Sequence, residues 1–247
     1  GHFYSAMTGF LGFAMLDGEY KMMGLAPYGS PDYLPFIRQN ILLTDAPGSY
    51  RLNGDLLDYH AALKKQFHPK LLEAFGSPRL SDDAPFTERH RQIAASAQAA
   101  FEEVVGDMAS WAFQQGGKRT NVAIAGGCGL NCSANGKLLR DGPFTRMYVP
   151  PAPHDAGCAV GAALLLHHER LGKPRQFEMT HAYYGPAYGE QDIGRALCAL
   201  GLEARPMADE EALLQRAVQA LCSGQILAWF QGPMGFGPRA LGSRSFL

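Results

Sequence analysis

Two short stretches carry the residue types that chemistry on a phosphorylated ligand needs: AGGCGLNC, around Gly126 and Gly127, and APHDAGC, around Asp155. Without a Cβ at Gly126 and Gly127 the chain can bend sharply there, and a ligand can come close to its backbone. The apolar run at 121–125 leads into this turn as a strand, and a helix is expected to begin near Cys132. Such a helix points its unpaired N–H groups and the positive end of its dipole at whatever fills the turn, which favours an anion such as a phosphate. Asp155 opens the second turn. The helix expected after it is rich in small residues, Gly157, Ala159, Gly161, Ala162 and Ala163, and can lie against a nucleotide or another backbone. Two such turns in succession suggest one site with a phosphate wall and an acidic wall.

The elements that must position these turns follow from the hydrophobic pattern. Ile93, Ala97, Phe101, Val104, Met108 and Trp111 recur at steps of three and four, which predicts a long amphipathic helix over 88–114 with that face in the core and Glu102, Glu103 and Asp107 outward. Gly116 and Gly117 end it, and Lys118 and Arg119 suit the negative end of its dipole. Upstream, 2–13 reads as a buried helix closed by the turn Asp17-Gly18. The stretch GEYKMMGLAPYG then carries Glu19 and Lys21 on a glycine-bounded turn, where a solvated surface ion pair is the plain reading. Residues 30–87 hold several prolines and short apolar runs, and read as an irregular insertion with short helices or a hairpin. Beyond the second helix, which runs out near Arg170, Gly172 to Pro174 mark a domain boundary; an amphipathic helix at 208–222 and an apolar strand at 225–230 lead into GPMGFGPRALGSRS.

Composition excludes several classes. A chain of 247 residues with 47% hydrophobic and 18% charged residues can bury a core, and a net charge of −1 offers no field for nucleic acid. Five cysteines make no disulfide framework and suit a reducing cytosol, so a cytoplasmic location is expected. No apolar run is long enough to span a membrane. The chain opens on GHFYSAMTGFLGF and stops on GSRSFL, and both ends are expected to be interior to a longer protein.

Taken in order, GEYKMMGLAPYG, AGGCGLNCSANGKLL, PPAPHDAGCAVGAAL and WFQGPMGFGPRALGSRS resemble the O-carbamoyltransferases of the nodulation-factor and cephamycin/aminoglycoside antibiotic type, over essentially the whole chain. The resemblance implies an α/β fold: an actin-like, sugar-kinase-like (ribonuclease H-like) ATPase-type domain over 1–172, incomplete at its N-terminus, then the start of a YrdC-like α/β domain over 173–247. It also implies that ATP and carbamoyl phosphate yield a carbamoyl-adenylate, whose carbamoyl group passes to a hydroxyl of a sugar, nodulation factor or antibiotic-like acceptor. Gly126 and Gly127 would be the glycines of the nucleotide turn, Asn131 the asparagine facing the nucleotide, and Glu19 and Lys21 part of a second nucleotide-facing stretch. Asp155 matches an aspartate that binds a divalent metal, iron (Fe2+) or magnesium (Mg2+), beside the phosphates; Arg239 and Arg244 would offer charged forks to a carbamoyl phosphate or adenylate phosphate. The family's first phosphate loop and paired metal-binding histidines would lie upstream of Gly1. Carbamoyl phosphate and a hydroxyl-bearing small molecule are the partners implied, with homodimerisation left open.

Plainer readings stand beside these. Asp155 suits a helix N-cap, Cys128 and Cys132 have no companion pair at zinc spacing, His167 and His168 suit a solvated helix end, and the two arginines can simply pin a turn. The family more often has Arg and Glu where this chain has Pro233 and Gly235, and a small residue at His154. A kinase of the same superfamily, releasing ADP, or a non-catalytic nucleotide-binding fragment are the other function classes open at this stage.

Overall fold

In the computed structural model, which describes residues 1–58 and 67–247, the aromatic and small residues after Gly1 form helix α1 (His2–Phe10), seven of whose nine residues are buried. The contacts of the chain divide it into Gly1–Val149 and Pro150–Leu247.

In the first unit α1 is followed by α2 (Glu19–Leu25), α3 (Leu34–Asn40), an antiparallel hairpin of β1 (Leu42–Leu43) and β2 (Arg51–Leu52), and α4 (Lys70–Phe75). The expected short helices and hairpin of 30–87 are therefore present; the part of that insertion at 59–66 lies outside the described residues. Phe10, Ile37, Ile41, Leu71, Phe75 and Ile93 have no exposed surface, and Phe75 is ringed by the edges of Tyr33, Phe36 and Phe10 at centroid distances of 5.1, 5.5 and 5.7 Å. Edge-to-face contacts of this kind suit the ring quadrupole.

Helix α5 (Glu88–Gln115) crosses this core, as its periodicity predicts. Its start is held by His90, whose Nδ1 accepts the Thr87 N–H at 3.1 Å, the side-chain half of a capping box. The expected core face holds only in part. Ile93, Ala97 and Phe101 are buried and Val104 packs on them, but Met108 and Trp111 are 40% and 47% exposed. The reason is length: a helix of 28 residues is about 42 Å long, and it outruns the core that its first half packs. Nor do the carboxylates simply look outward. Glu102 turns to Lys137 at 3.1 Å, Glu103 pairs with Arg38, and Asp107 accepts the Gly48 N–H at 2.7 Å.

After α5 comes a strand–helix–strand unit. β3 (Asn121–Ala123) and β4 (Arg146–Tyr148) pair in parallel, Val122 opposite Met147, with α6 (Cys132–Asp141) as the crossover. A parallel pair requires such a connection, because its strands enter from the same end.

The second unit begins with a 3-10 turn (Asp155–Gly157) running into α7 (Cys158–Leu165), none of whose residues is buried, and a π turn (Leu166–Arg170). α8 (Glu190–Ala199) and α9 (Glu210–Cys222) follow, the latter capped by Asp209, whose Oδ1 accepts the Ala212 N–H at 2.8 Å. β5 (Ala228–Phe230) pairs antiparallel with β6 (Arg244–Phe246) and closes the unit. The expected strand at 225–230 thus begins three residues late. Among the described residues no helix is long and apolar enough to cross a membrane.

Candidate functional site

The glycine turn lies where its sequence places it, between β3 and α6. Gly126 has φ 92° and ψ 161°, a conformation open essentially to glycine alone, and it redirects the chain into a 3-10 turn over Gly127–Leu130. That turn is closed by Gly129 N–H to the Gly126 carbonyl at 2.9 Å and Asn131 N–H to the Cys128 carbonyl at 3.1 Å. An ideal Cβ built on either Gly126 or Gly127 meets no atom within 4 Å. The space above the turn is therefore open, and a side chain there would fill it. The ten-residue α6 begins beside it and presents the orphan N–H groups of a helix start.

What holds this turn against the rest of the unit is a buried polar network that no local sequence signal announces. Asn131 caps α6, its Oδ1 accepting the Ala134 N–H at 2.9 Å. The same Oδ1 accepts from Gln98 Nε2 at 3.0 Å, and Asn131 Nδ2 donates back to Gln98 Oε1 at 2.9 Å, so the two amides face each other as a reciprocal pair. The Tyr4 hydroxyl donates to Gln98 Oε1 at 2.6 Å, and Gln98 Nε2 also donates to Glu102 at 2.7 Å. Tyr4, Gln98 and Asn131 are each less than 8% exposed. Burial pushes the Tyr4 phenol far above its ordinary range; the Asn131 amide works against the rise, and the Glu102, Glu19 and Cys132 charges add to it. Tyr4 therefore remains a hydrogen-bond donor across the physiological range. The Asn131 side chain is turned inward to α5, and what it leaves on the open side of the turn is backbone.

The second expected stretch, α2, lies next to this network. Met23 Sδ is 3.8 Å from Cys132 Sγ at the start of α6. Glu19 Oε1 accepts the Ser5 hydroxyl at 2.6 Å and the Leu16 N–H at 2.8 Å, which fixes a residue whose φ is +68°. Lys21 points elsewhere: its ammonium pairs with Asp82 and lies 5.9 Å from the Phe13 ring centroid. The Asp82 carboxylate, as its hydrogen-bond partner, raises the Lys21 pKa. The structure thus joins Gly126, Gly127 and Asn131 in one turn with Met23 of α2 against its helix start, turns Glu19 to Ser5 and Leu16, and commits Lys21 to a surface ion pair with a partner other than Glu19.

In the second unit Asp155 is exposed at the head of its 3-10 turn. His154 beside it is partly buried, and its Nδ1 is enclosed without a hydrogen-bond partner. Among the described residues no group of three or more His, Cys, Asp or Glu side chains is arranged to hold a metal ion, so Asp155 offers one carboxylate and no centre. Arg244 is occupied. Its Nη1 and Nη2 donate to the Gly235 and Gly237 carbonyls, both at 3.1 Å, and so pin the glycine-rich loop in which Arg239 also lies. Gly235 permits this directly, since a Cβ there would stand 3.1 Å from Arg244 Nη1. The five cysteines are free and exposed, as the lack of a framework predicts.

The chain matches the family described as Carbamoyltransferase N-terminus over residues 1–164 and that described as Carbamoyltransferase C-terminus over residues 218–247. Over its whole length it is 40% identical to an uncharacterised protein of Synechocystis and 37% identical to the nodulation protein NolO of Bradyrhizobium diazoefficiens, covering 41% and 42% of those proteins. Over 94% of its length it is 28% identical to the 3'-hydroxymethylcephem-O-carbamoyltransferase of Streptomyces clavuligerus, covering 39% of it. The chain therefore spans about two fifths of the length of these curated relatives.

Proposed function

From the premise that the chain belongs to the carbamoyltransferase family, we propose that the whole protein transfers a carbamoyl group to a hydroxyl of a sugar, nodulation factor or antibiotic-like acceptor, using ATP and carbamoyl phosphate, in the cytoplasm. The observation that carries the ATP part of this reading is the open glycine turn at the head of α6, where nothing stands within 4 Å of a Cβ on Gly126 or Gly127. A turn of that kind lets phosphate oxygens reach backbone N–H groups at a helix N-terminus, which is a general way of holding a nucleotide. The relative from Streptomyces clavuligerus is by name an O-carbamoyltransferase, and this supports a hydroxyl as acceptor.

In this reading residues 1–172 belong to an actin-like ATPase-type domain and 173–247 to the start of a YrdC-like domain. Gly126 and Gly127 receive the phosphates, Asn131 shapes the turn that does so, and Glu19 holds α2 beside it. Lys21 reaches the nucleotide only by exchanging its Asp82 partner. Arg239 and Arg244 belong to the second phosphate site, Arg244 by pinning its loop. Asp155 would offer one carboxylate to a divalent metal, iron or magnesium; the described residues place no second and third donor beside it.

Water releases phosphate from carbamoyl phosphate to leave carbamate; a carbamate oxygen attacks the α-phosphorus of ATP, and pyrophosphate departs with the electron pair of the broken bond. The acceptor hydroxyl then attacks the carbamoyl carbon, its proton is lost, and AMP leaves. Full-length protein incubated with labelled ATP, carbamoyl phosphate and a hydroxyl acceptor is expected to form AMP, pyrophosphate and carbamoylated acceptor in equal amounts. ADP as the sole nucleotide product would overturn the proposal in favour of a kinase.

A further inference from the structure

The Gln98–Asn131 amide pair is not needed to close the glycine turn, which has its own backbone hydrogen bonds. Instead it ties the turn to α5 across 33 positions of sequence. We propose that Gln98 is a positioning residue for nucleotide binding: by holding the Asn131 amide it sets the orientation of the α6 N-terminus and the Gly126–Gly127 turn. The inference rests on the reading of that turn as the phosphate site.

Every hydrogen-bonding position of the Gln98 amide is filled. Its oxygen accepts from Tyr4 and Asn131, and its nitrogen donates to Asn131 and Glu102. Asn131, itself fixed by the Ala134 N–H, and Glu102 also forbid the flipped amide, which would set the nitrogen against Asn131 Nδ2 and the oxygen against Asn131 Oδ1 and the Glu102 carboxylate. Glu102 in turn receives Lys137 from the middle of α6 at 3.1 Å. α6 is thus anchored to α5 at two points, its cap and its centre, and two points fix the direction of a helix. Asn131 Oδ1 is shared between the Ala134 N–H of the helix itself and Gln98 of α5. A shift of Gln98 therefore either drags the cap with it or breaks the pair. At 6% exposed, Gln98 lies inside the unit and acts on a ligand through Asn131. Affinity gained by holding a site in its bound geometry is the general benefit of such a support.

The test is ATP titration calorimetry and thermal melting of the full-length protein with Gln98→Leu, Asn131→Ala, the double substitution, Gly127→Val and Ser96→Ala. Ser96 is a control at another buried position of α5, on the side that faces Tyr33, whose N–H it accepts at 2.9 Å. Gln98→Leu is expected to weaken ATP binding about tenfold, equivalent to about 1.4 kcal/mol, and to add nothing once Asn131 is alanine. Ser96→Ala is expected to lower the melting temperature and leave the affinity alone. Should Gln98→Leu not fold, Tyr4→Phe, which removes one of the two donors fixing the Gln98 oxygen, must show the same non-additivity with Asn131→Ala. If Gly127→Val weakens binding while Gln98→Leu does not, or if the Gln98 and Asn131 effects add, the positioning role is wrong and the phosphate site stands. A loss with Ser96→Ala equal to that with Gln98→Leu would reduce the effect to general destabilisation and overturn it. No ATP binding by the unaltered protein would overturn both.

Discussion

Valine at position 127 separates the cost to the fold from the cost to a ligand. Gly127 is not in the left-handed region, and a Cβ on it meets nothing within 4 Å. Unfolding free energy is therefore expected to change by no more than about 0.5 kcal/mol, the range of an unobstructed surface substitution. One residue earlier the space is equally open, but φ is 92° with ψ 161°. Gly126→Val is expected to cost about 1–3 kcal/mol, because a side chain is forced into a backbone region that glycine alone occupies readily. The two positions are alike in room and different in strain. A phosphate resting on the turn meets the same obstruction from either valine. Loss of one charge-assisted hydrogen bond, at about 1.5–3 kcal/mol, corresponds to roughly 10- to 100-fold weaker binding. Urea unfolding and ATP titration of the full-length protein read the two quantities separately. The reasoning is refuted if Gly127→Val destabilises the fold as much as Gly126→Val, or if it leaves ATP affinity unchanged.

Two further perturbations concern stability. His90 is 5% exposed with its Nε2 unpartnered, and burial first, then Arg89, Arg79 and Arg91, lowers its pKa below the ordinary value of about 6.5. Between those two values the unfolded chain binds the proton and the folded one does not, so the stability due to neutral His90 is complete above about pH 6.5 and falls as the pH drops towards the folded value. His90→Gln keeps an acceptor for the Thr87 N–H and removes the titration, so its melting temperature should fall less between pH 7.5 and pH 5 than that of the unaltered protein; equal falls would refute this. Leu16 is 82% exposed at φ +68°, a conformation costing about 1–2 kcal/mol for a residue with a Cβ. Leu16→Gly relieves that strain against about 0.5–1 kcal/mol of added chain entropy, so urea unfolding should show a net gain of about 0.5–1 kcal/mol, and a loss would show the strain to be absent.

Much of the first unit was legible because the signals are local. The three- and four-residue steps from Ile93 to Val104 mark one face of a helix whatever it packs on, and Gly126, between an apolar run and a helix start, marks a turn whose backbone conformation glycine alone adopts readily. Asp17-Gly18, Gly116-Gly117 and the helix ending at Cys222 were readable for the same reason. The partners were not. Nothing in the sequence links Gln98 to Asn131 until the fold brings them within 3.0 Å, and Lys21 finds Asp82, 61 positions away, rather than the Glu19 on its own helix. The same holds for exposure. Met108 and Trp111 continue the apolar period of α5 without a fault, yet they stand half open, since periodicity says which face a residue is on and not how far the core beneath that face extends. Arg244 gives its guanidinium to two loop carbonyls that no spacing rule links to it. Torsional preference and hydrophobic period act over a few residues, and so the long helix α5 and the glycine turn can be read directly from the chain. Which polar groups meet is another matter, because a buried hydrogen bond such as Gln98–Asn131 is set by where two elements come to rest against each other.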